Sequence, residues 1–213
     1  MKFRALLALL AGGSLMAGCA ATAADTKSAS AATPAKTSKS SRTAFPSTYK
    51  AYPSVPTAVT GVTIFDGEGG RIDNGTVFMT NGKITAIGGA DTAIPGDATI
   101  VNGTGKYVTP GIIDVHSHLG DYPTPSVSAH SDGNEATSPV TAEVWAEHSV
   151  WPQDPGFSRA MANGGITALQ ILPGSANLFG GRSVTLKNVP ARTVQAMKFP
   201  GAPYGLKMAC GEN

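Results

Sequence analysis

The stretch "VTPGIIDVHSHLG", residues 108–120, decides how the chain reads. Pro110-Gly111 breaks the preceding pattern, and Gly111–Val115 is then a continuous apolar run interrupted by one acid, Asp114. A run apolar on both faces predicts a strand buried on both sides, as in a parallel sheet or barrel. His116 and His118 close the run. On a strand, residues i and i+2 point to the same side, with roughly 6–7 Å between their Cα atoms. Two imidazoles so placed can converge on one cation. Imidazole suits zinc first, then iron, nickel or manganese. A divalent cation there would lower the pKa of water toward about 7 and supply hydroxide at neutral pH. The pair also sits at the C-terminal end of its strand, where α/β barrels carry their catalytic groups. A bare His-x-His also closes strands with no chemistry attached, so the spacing alone leaves both readings open.

Outward from this stretch the pattern alternates. Gly120 to about Pro139 is a long polar loop rich in Ser, Asp, Pro and Thr, a length that in compact domains is often functional. Asp154-Pro155 opens a helix, with Asp as N-cap and Pro at the first helical position. Phe157, Ala160 and Met161 fall on one face of it, and Asn163-Gly164-Gly165 ends it. Ile166–Leu172 reads as a second buried strand, stopped by Pro173-Gly174. Strand, helix, strand predicts a βαβ unit and a parallel sheet.

Upstream, residues 54–109 read as short strands with tight turns. Val59–Phe65 is closed by Asp66-Gly67. Thr76–Thr80 and Lys83–Ile87 flank Asn81-Gly82, which supplies the two positive-φ residues of a type I′ hairpin turn. Thr99–Val101 and Lys106–Thr109 form two more strands around Asn102-Gly103. The unit is all-β and too thin to bury two faces by itself.

The N-terminus reads as a targeting segment. Lys2 and Arg4 precede a short apolar run, Ala5–Ala11, too short to span a bilayer. Leu15-Met16-Ala17-Gly18-Cys19 then resembles the lipobox of bacterial lipoproteins. That resemblance implies cleavage before Cys19 and lipidation of its thiol; an ordinary signal peptide cut near Ala21–Ala23 is the other reading. Either places the mature chain outside the cytosol, and the first makes it a lipid-anchored protein of the bacterial cell envelope. Residues 20–53 are mostly Ala, Thr, Ser, Lys and Pro. They carry too little apolar surface to offset the entropy of ordering and are expected to be a tether, with Phe45, Tyr49 and Tyr52 marking where docking starts. The net charge is +2 with scattered Lys and Arg, so no nucleic-acid surface is expected. Cys19 and Cys210 lie at opposite ends, which argues against a disulfide framework.

The motif Pro110, Gly111, Ile113, Asp114, His116, His118 resembles the first barrel strand of the amidohydrolase superfamily, Pro-Gly-x-Ile-Asp-x-His-x-His. The segments "SDGNEATSPV" (131–140), "ILPGSANLFGGRSVTLK" (171–187) and "YGLKMACGEN" (204–213) are similar to its imidazolonepropionase-like branch. The resemblance covers about residues 55–213. It implies an α/β fold: part of a small β-sandwich composite domain at 54–109, then the first part of a (β/α)8 TIM-type barrel at 110–213. It implies a divalent metal, zinc first, held by His116 and His118, and hydrolysis of a C–N bond in a small-molecule amide or cyclic amide. An Xaa-Pro dipeptidase-like amidohydrolase is a second enzyme of the same kind, and a non-catalytic surface lipoprotein that binds without turnover is the rival of another class. A full barrel takes about 250 residues, and about 100 follow Gly111. The family's later ligands and its general base, an Asp near the eighth strand, have no counterpart among them. The chain is therefore expected to be an N-terminal portion, inactive alone.

Other residues divide between chemistry and structure. Asp114 reads as a structural acid bonded to neighbouring backbone. Glu135 and Asn177 are candidate substrate contacts, with Asn134 and Ser175 beside them. Lys207 is a possible metal bridge, because two-metal members use a carboxylated lysine. Lys187 reads as a plain strand residue, Cys210 as a small buried residue, and Trp145 and Trp151 as packing. His130 and His148 lie too early to be the later ligands.

Overall fold

The computed structural model describes residues 45–130 and 133–210. The expected targeting segment, Cys19 and most of the expected tether lie outside the described residues. Among those described, no helix is long and apolar enough to cross a membrane.

The first half is a β-meander extended by two parallel strands. Strands β1 (Thr57–Phe65), β2 (Arg71–Thr80) and β3 (Lys83–Gly88) pair antiparallel, in the order β3-β2-β1. Asn81 and Gly82 have φ of 52° and 71°, as the I′ turn requires, and Thr80 pairs with Lys83. Strands β4 (Thr99–Asn102) and β5 (Tyr107–Val108) both lie parallel to β1 on its free edge. Gly61 sits at the register shift in β1 with φ of 71°, and a side chain there would press on Thr104. This break lets the first part of β1 pair with β4 and the last part with β5. Val62, Ile64 and Val77 form the buried cluster, while Ile84, Ile87 and Ile100 stay exposed. One apolar face is covered, as the thinness of the unit predicts.

The turn from β1 to β2 depends on Asp66. Its Oδ1 accepts from the Glu68 and Gly70 backbone N–H groups at 2.8 and 2.9 Å. These two bonds to the charged form hold the carboxyl below its ordinary value of 3.8.

The second half contains the predicted βαβ unit. Strand β6 (Ile112–Ser117) is parallel to β7 (Ile166–Ile171), with helix α1 (Pro155–Gly164) between them. Strand β8 (Phe179–Arg182) follows, and β9 (Val184–Lys187) pairs antiparallel with β7, giving the order β6-β7-β9. A short helix, α2 (Val194–Met197), leads to β10 (Leu206–Met208), which pairs with β8. The core joins Phe157 of α1, Leu169 and Ile171 of β7, Val184 and Leu186 of β9, and Met197 of α2.

Four expectations need correction. The continuous apolar run of β6 is not buried on both faces: Ile112, Ile113 and Val115 are 53%, 65% and 68% exposed. Among the described residues β6 pairs with β7 alone and forms the sheet edge, so the doubly buried environment belongs to β7. Met161 of α1 is exposed, whereas Phe157 is buried, because the core reaches only the first turn of that face. Cys210 is exposed; it follows β10, and none of the described residues buries it. The expected tether, drawn to residue 53, overlaps a docked segment. Thr48 N–H donates to Gln195 O at 2.9 Å, Ser47 Oγ to Lys198 O at 2.7 Å, and Tyr52 Oη to Pro190 O. The Lys187 ammonium lies 5.1 Å from the centre of the Tyr49 ring.

Two buried charge arrangements hold this half together. Asp154, 2% exposed, is the N-cap of α1 and does more than cap: its carboxylate accepts from Gly156 N–H (2.8 Å), Gly120 N–H (2.9 Å) and Thr124 N–H (3.0 Å). Lys198 Nζ lies 2.5 Å from Glu147 Oε2, with side chains 8% and 0% exposed. Lys198 Nζ also donates to Phe45 O and Tyr204 Oη, and Tyr204 Oη donates to Glu147 Oε1 at 3.0 Å. The docked segment thereby shares a buried ion pair with the core.

Replacing Asp154 with Ala strands three backbone donors and should cost about 3 kcal/mol in urea unfolding. Lys198→Met leaves Glu147 buried and unpaired, and should cost about 3–5 kcal/mol; adding Glu147→Leu should restore most of it. For Asp66 the folded pKa is depressed, so its contribution is present above pH 3.8 and lost as pH falls through the folded value. Asp66→Asn should therefore be less stable than the parent at neutral pH and should converge with it in strong acid.

Candidate metal centre

The two histidines stand where β6 ends. Against β7, Asp114 pairs with Leu169 and Ser117 with Ile171, so β6 takes three steps where β7 takes two. An extra residue of this kind bends a strand and re-aims its side chains. The Asp114 carboxylate accepts from His116 N–H at 3.1 Å, as its structural reading predicts. Beyond the irregularity, Leu172 N–H donates to Ser117 O at 3.0 Å, and His118 Nδ1–H donates to Leu172 O at 2.8 Å. The His118 carbonyl then accepts from Asp121 N–H and Tyr122 N–H, which starts the long loop.

The rings stay together. Their centroids are 5.3 Å apart with planes at 86°. Because the carbonyl of Leu172 accepts only, Nδ1 of His118 carries the proton and Nε2 presents a lone pair. This is the tautomer in which imidazole ligates a cation through Nε2. His116 is exposed and His118 half-buried.

Lys207 comes to the same place from the other end of the chain. On β10 it pairs with Gly181, and its Nζ lies 3.4 Å from His116 Nε2. It is 5% exposed, and burial pushes its ammonium below the ordinary 10.5. The loop after β6 adds Tyr122. Its ring packs edge-to-face on His118 with centroids 5.4 Å apart, and its Oη accepts from Asn134 Nδ2 at 2.6 Å. Burial, then the Asp121 charge, raises its phenol above the ordinary 10.0. Sequence reasoning passed over Tyr122; an aromatic residue four positions after His118 in a loop of small polar residues was the available signal.

The other candidates lie elsewhere or do other work. Asn177 is 3% exposed, and its Nδ2 donates to Ser138 O at 2.7 Å and to Glu135 O, so it ties the long loop down through backbone. The Glu135 side chain is exposed and accepts from Thr137 N–H at 3.3 Å. Lys187 stacks over Tyr49 and Phe199, in keeping with a strand residue. Trp145 packs against Tyr204 and under the Arg182 guanidinium, 4.3 Å away, while Trp151 is 41% exposed. His148 packs on Phe45 and His130 tilts against Trp151. Among the described residues no group of three or more His, Cys, Asp or Glu side chains converges as a metal site. The donor set here is two imidazoles with one amine beside them. It fits part of a metal shell.

No family model matches the chain. It is 34% identical over 150 residues to an amidohydrolase, TasK, of Hapsidospora irregularis, covering 65% of this chain and 15% of that protein. It is 42% identical over 54 residues to the imidazolonepropionase of Geobacillus sp. (strain WCH70), covering 22% and 13%. Among solved structures it resembles an amidohydrolase from Thermotoga maritima MSB8, with 39% identity and a TM-score of 0.67 over 74% of this chain and 39% of that one. The chain thus spans well under half the length of each relative. These likenesses, with the mixed α/β fold and the paired histidines at a strand end, support the amidohydrolase superfamily for this chain.

Proposed function

We propose that this chain carries the first metal ligands of a hydrolase acting on C–N bonds of small-molecule amides or cyclic amides. His116 and His118 would hold a divalent cation, zinc first. When bound, such an ion polarises the amide carbonyl and lowers the pKa of water. The observation that carries the proposal is the His118 hydrogen bond to Leu172 O, with the His116 ring 5.3 Å away. It sets the tautomer and orientation a ligand needs before any cation arrives.

The finer architecture belongs to the same proposal. Strands β6 and β7 with α1 would be the opening βαβ unit of a TIM-type barrel, and β1 to β5 part of the flanking β-sandwich. Lipidation at Cys19 would anchor the chain at the cell envelope. Glu135 and Asn177 would contact substrate from the loops after β6 and β7, which Asn177 Nδ2 ties together through Glu135 O and Ser138 O. The likeness to the Geobacillus and Thermotoga proteins supports the amide class.

Among the described residues no third His, Cys, Asp or Glu completes a metal site with the pair, and the general base that the resemblance implies belongs to a later strand. The chain alone is therefore proposed to bind metal with little turnover. Zinc titration of the purified chain against a chromophoric chelator tests this. His116→Ala and His118→Ala should each weaken zinc by tenfold or more, on the order of the loss expected for a ligand or its orienting partner. Zinc binding unchanged in both variants, or no binding by the parent, would overturn the metal assignment and favour the non-catalytic binding module. Metal-dependent amidase activity from the chain alone would overturn the claim of little turnover.

A further inference from the structure

Tyr122 is fitted to its place more tightly than a loop residue needs. Its backbone N–H donates to His118 O at 2.9 Å, so it is tied to His118 through the main chain. Its ring then turns back onto the His118 imidazole, with centroids 5.4 Å apart and planes at 86°. Edge-to-face contact of this kind fixes the relative orientation of two rings. The imidazole is thus held at two points: Nδ1 by Leu172 O, and a face or edge by the phenol.

The far end of the phenol is held as well. Asn134 Nδ2 donates to Tyr122 Oη at 2.6 Å, and Asn134 Oδ1 accepts from Ala176 N–H at 3.1 Å. Asn134 therefore bridges the loop after β6 to the loop after β7. Gly174 N–H donates to Gly133 O at 2.8 Å and clamps the same two loops backbone to backbone. At both glycines the absent Cβ is what admits the phenol: a Cβ on Gly133 would overlap the Tyr122 ring, and one on Gly174 would overlap both Tyr122 Oη and Asn134. Gly174 does not have a positive φ. Backbone conformation does not demand glycine there; space for Tyr122 does.

We propose that Tyr122 is a positioning residue for His118, and that Gly133, Gly174 and Asn134 form the cradle that aims it. The inference rests on the reading of His118 as a metal ligand. Without Tyr122, the imidazole would keep its bond to Leu172 O but gain freedom to swing about it. Cation affinity and the symmetry of the cation's surroundings would suffer, while the fold, which Tyr122 does not hold from the core, would persist.

Zinc and cobalt(II) binding by the chain test this, with parent, Tyr122→Phe, Tyr122→Leu and Gly174→Ala compared. Tyr122→Leu should weaken zinc about tenfold to a hundredfold, the range seen for partners that orient ligands, and should alter the visible cobalt(II) spectrum. Tyr122→Phe keeps the ring contact and loses only the Asn134 anchor, so it should recover most of the affinity. Gly174→Ala, which crowds out the phenol, should resemble Tyr122→Leu. Should Tyr122→Leu fail to fold, Tyr122→Phe against Gly174→Ala carries the comparison. A Tyr122→Leu protein with the parent's zinc affinity and cobalt spectrum overturns the positioning role and leaves His118 a ligand. A parent that binds neither ion overturns both.

Discussion

The buried carboxylate of Asp154 is the constraint on which the second half of the structure depends. One oxygen pair serves two chain segments that are 30 or more residues apart. It caps α1 through Gly156, and it receives Gly120 and Thr124 from the loop that leaves β6. Bonds from neutral donors to a buried charge are among the stronger ones in a protein. Their geometric effect is larger than their number suggests. By joining the start of the helix to the exit of the strand, Asp154 sets where the chain goes after His118. Tyr122 lies between the two anchored positions, Gly120 and Thr124, so its approach to His118 follows from the same carboxylate. The Cβ of an added side chain at Gly120 would press on Val150 and Phe157; the loop is drawn against the core as closely as glycine allows.

What was legible in the sequence was what short-range chemistry determines. Asn81-Gly82 announced its turn because only that dipeptide class takes two left-handed residues cheaply. Asp154-Pro155 announced a helix start, and Gly165, at φ of 62°, its end. His116 and His118 announced a pair because a two-residue period needs no knowledge of the rest of the fold. The features that were not legible depend on residues far away in the chain. The burial of β6 cannot be read from its own composition: Ile112, Ile113 and Val115 are as apolar as the residues of β7, and only pairing decides which strand is central. Lys207 reaches His116 across 91 positions, through the pairing of β10 with β8. Cys210 reads as buried for its size and polarity, yet none of the described residues covers it at the end of β10.

The Glu147–Lys198 pair shows a related limit. In the sequence these are two ordinary charged residues. In the fold they are almost wholly withdrawn from water, and Tyr204 and the carbonyl of Phe45 complete their hydrogen bonding. A buried pair of this kind offers modest net stability, since desolvation offsets most of the attraction. What it does supply is specificity of docking. The carbonyl of Phe45 is a partner that only the segment at 45–52 brings, and an ammonium left short of an acceptor in that setting is costly. The aromatic residues Phe45, Tyr49 and Tyr52 hinted at this contact from composition, but the composition of the flanking residues pulled the boundary too far along the chain.

The candidate centre is built unequally, and this inequality bears on how it would work. His118 is half-buried, bonded at Nδ1 and packed by Tyr122; His116 is exposed, and its Nε2 faces an amine rather than an orienting acceptor. A ligand that is already oriented loses little freedom when it binds, and the saving appears as affinity. In the proposed centre His118 would therefore define the position of a cation, and His116 would close on it. The Lys207 amine, buried and lowered in pKa by that burial, stands on the side of His116 that lacks such support. The firm half of the site thus belongs to the β6–β7 strand ends and the loops tied to them, and the adaptable half to the segment contributed by β10.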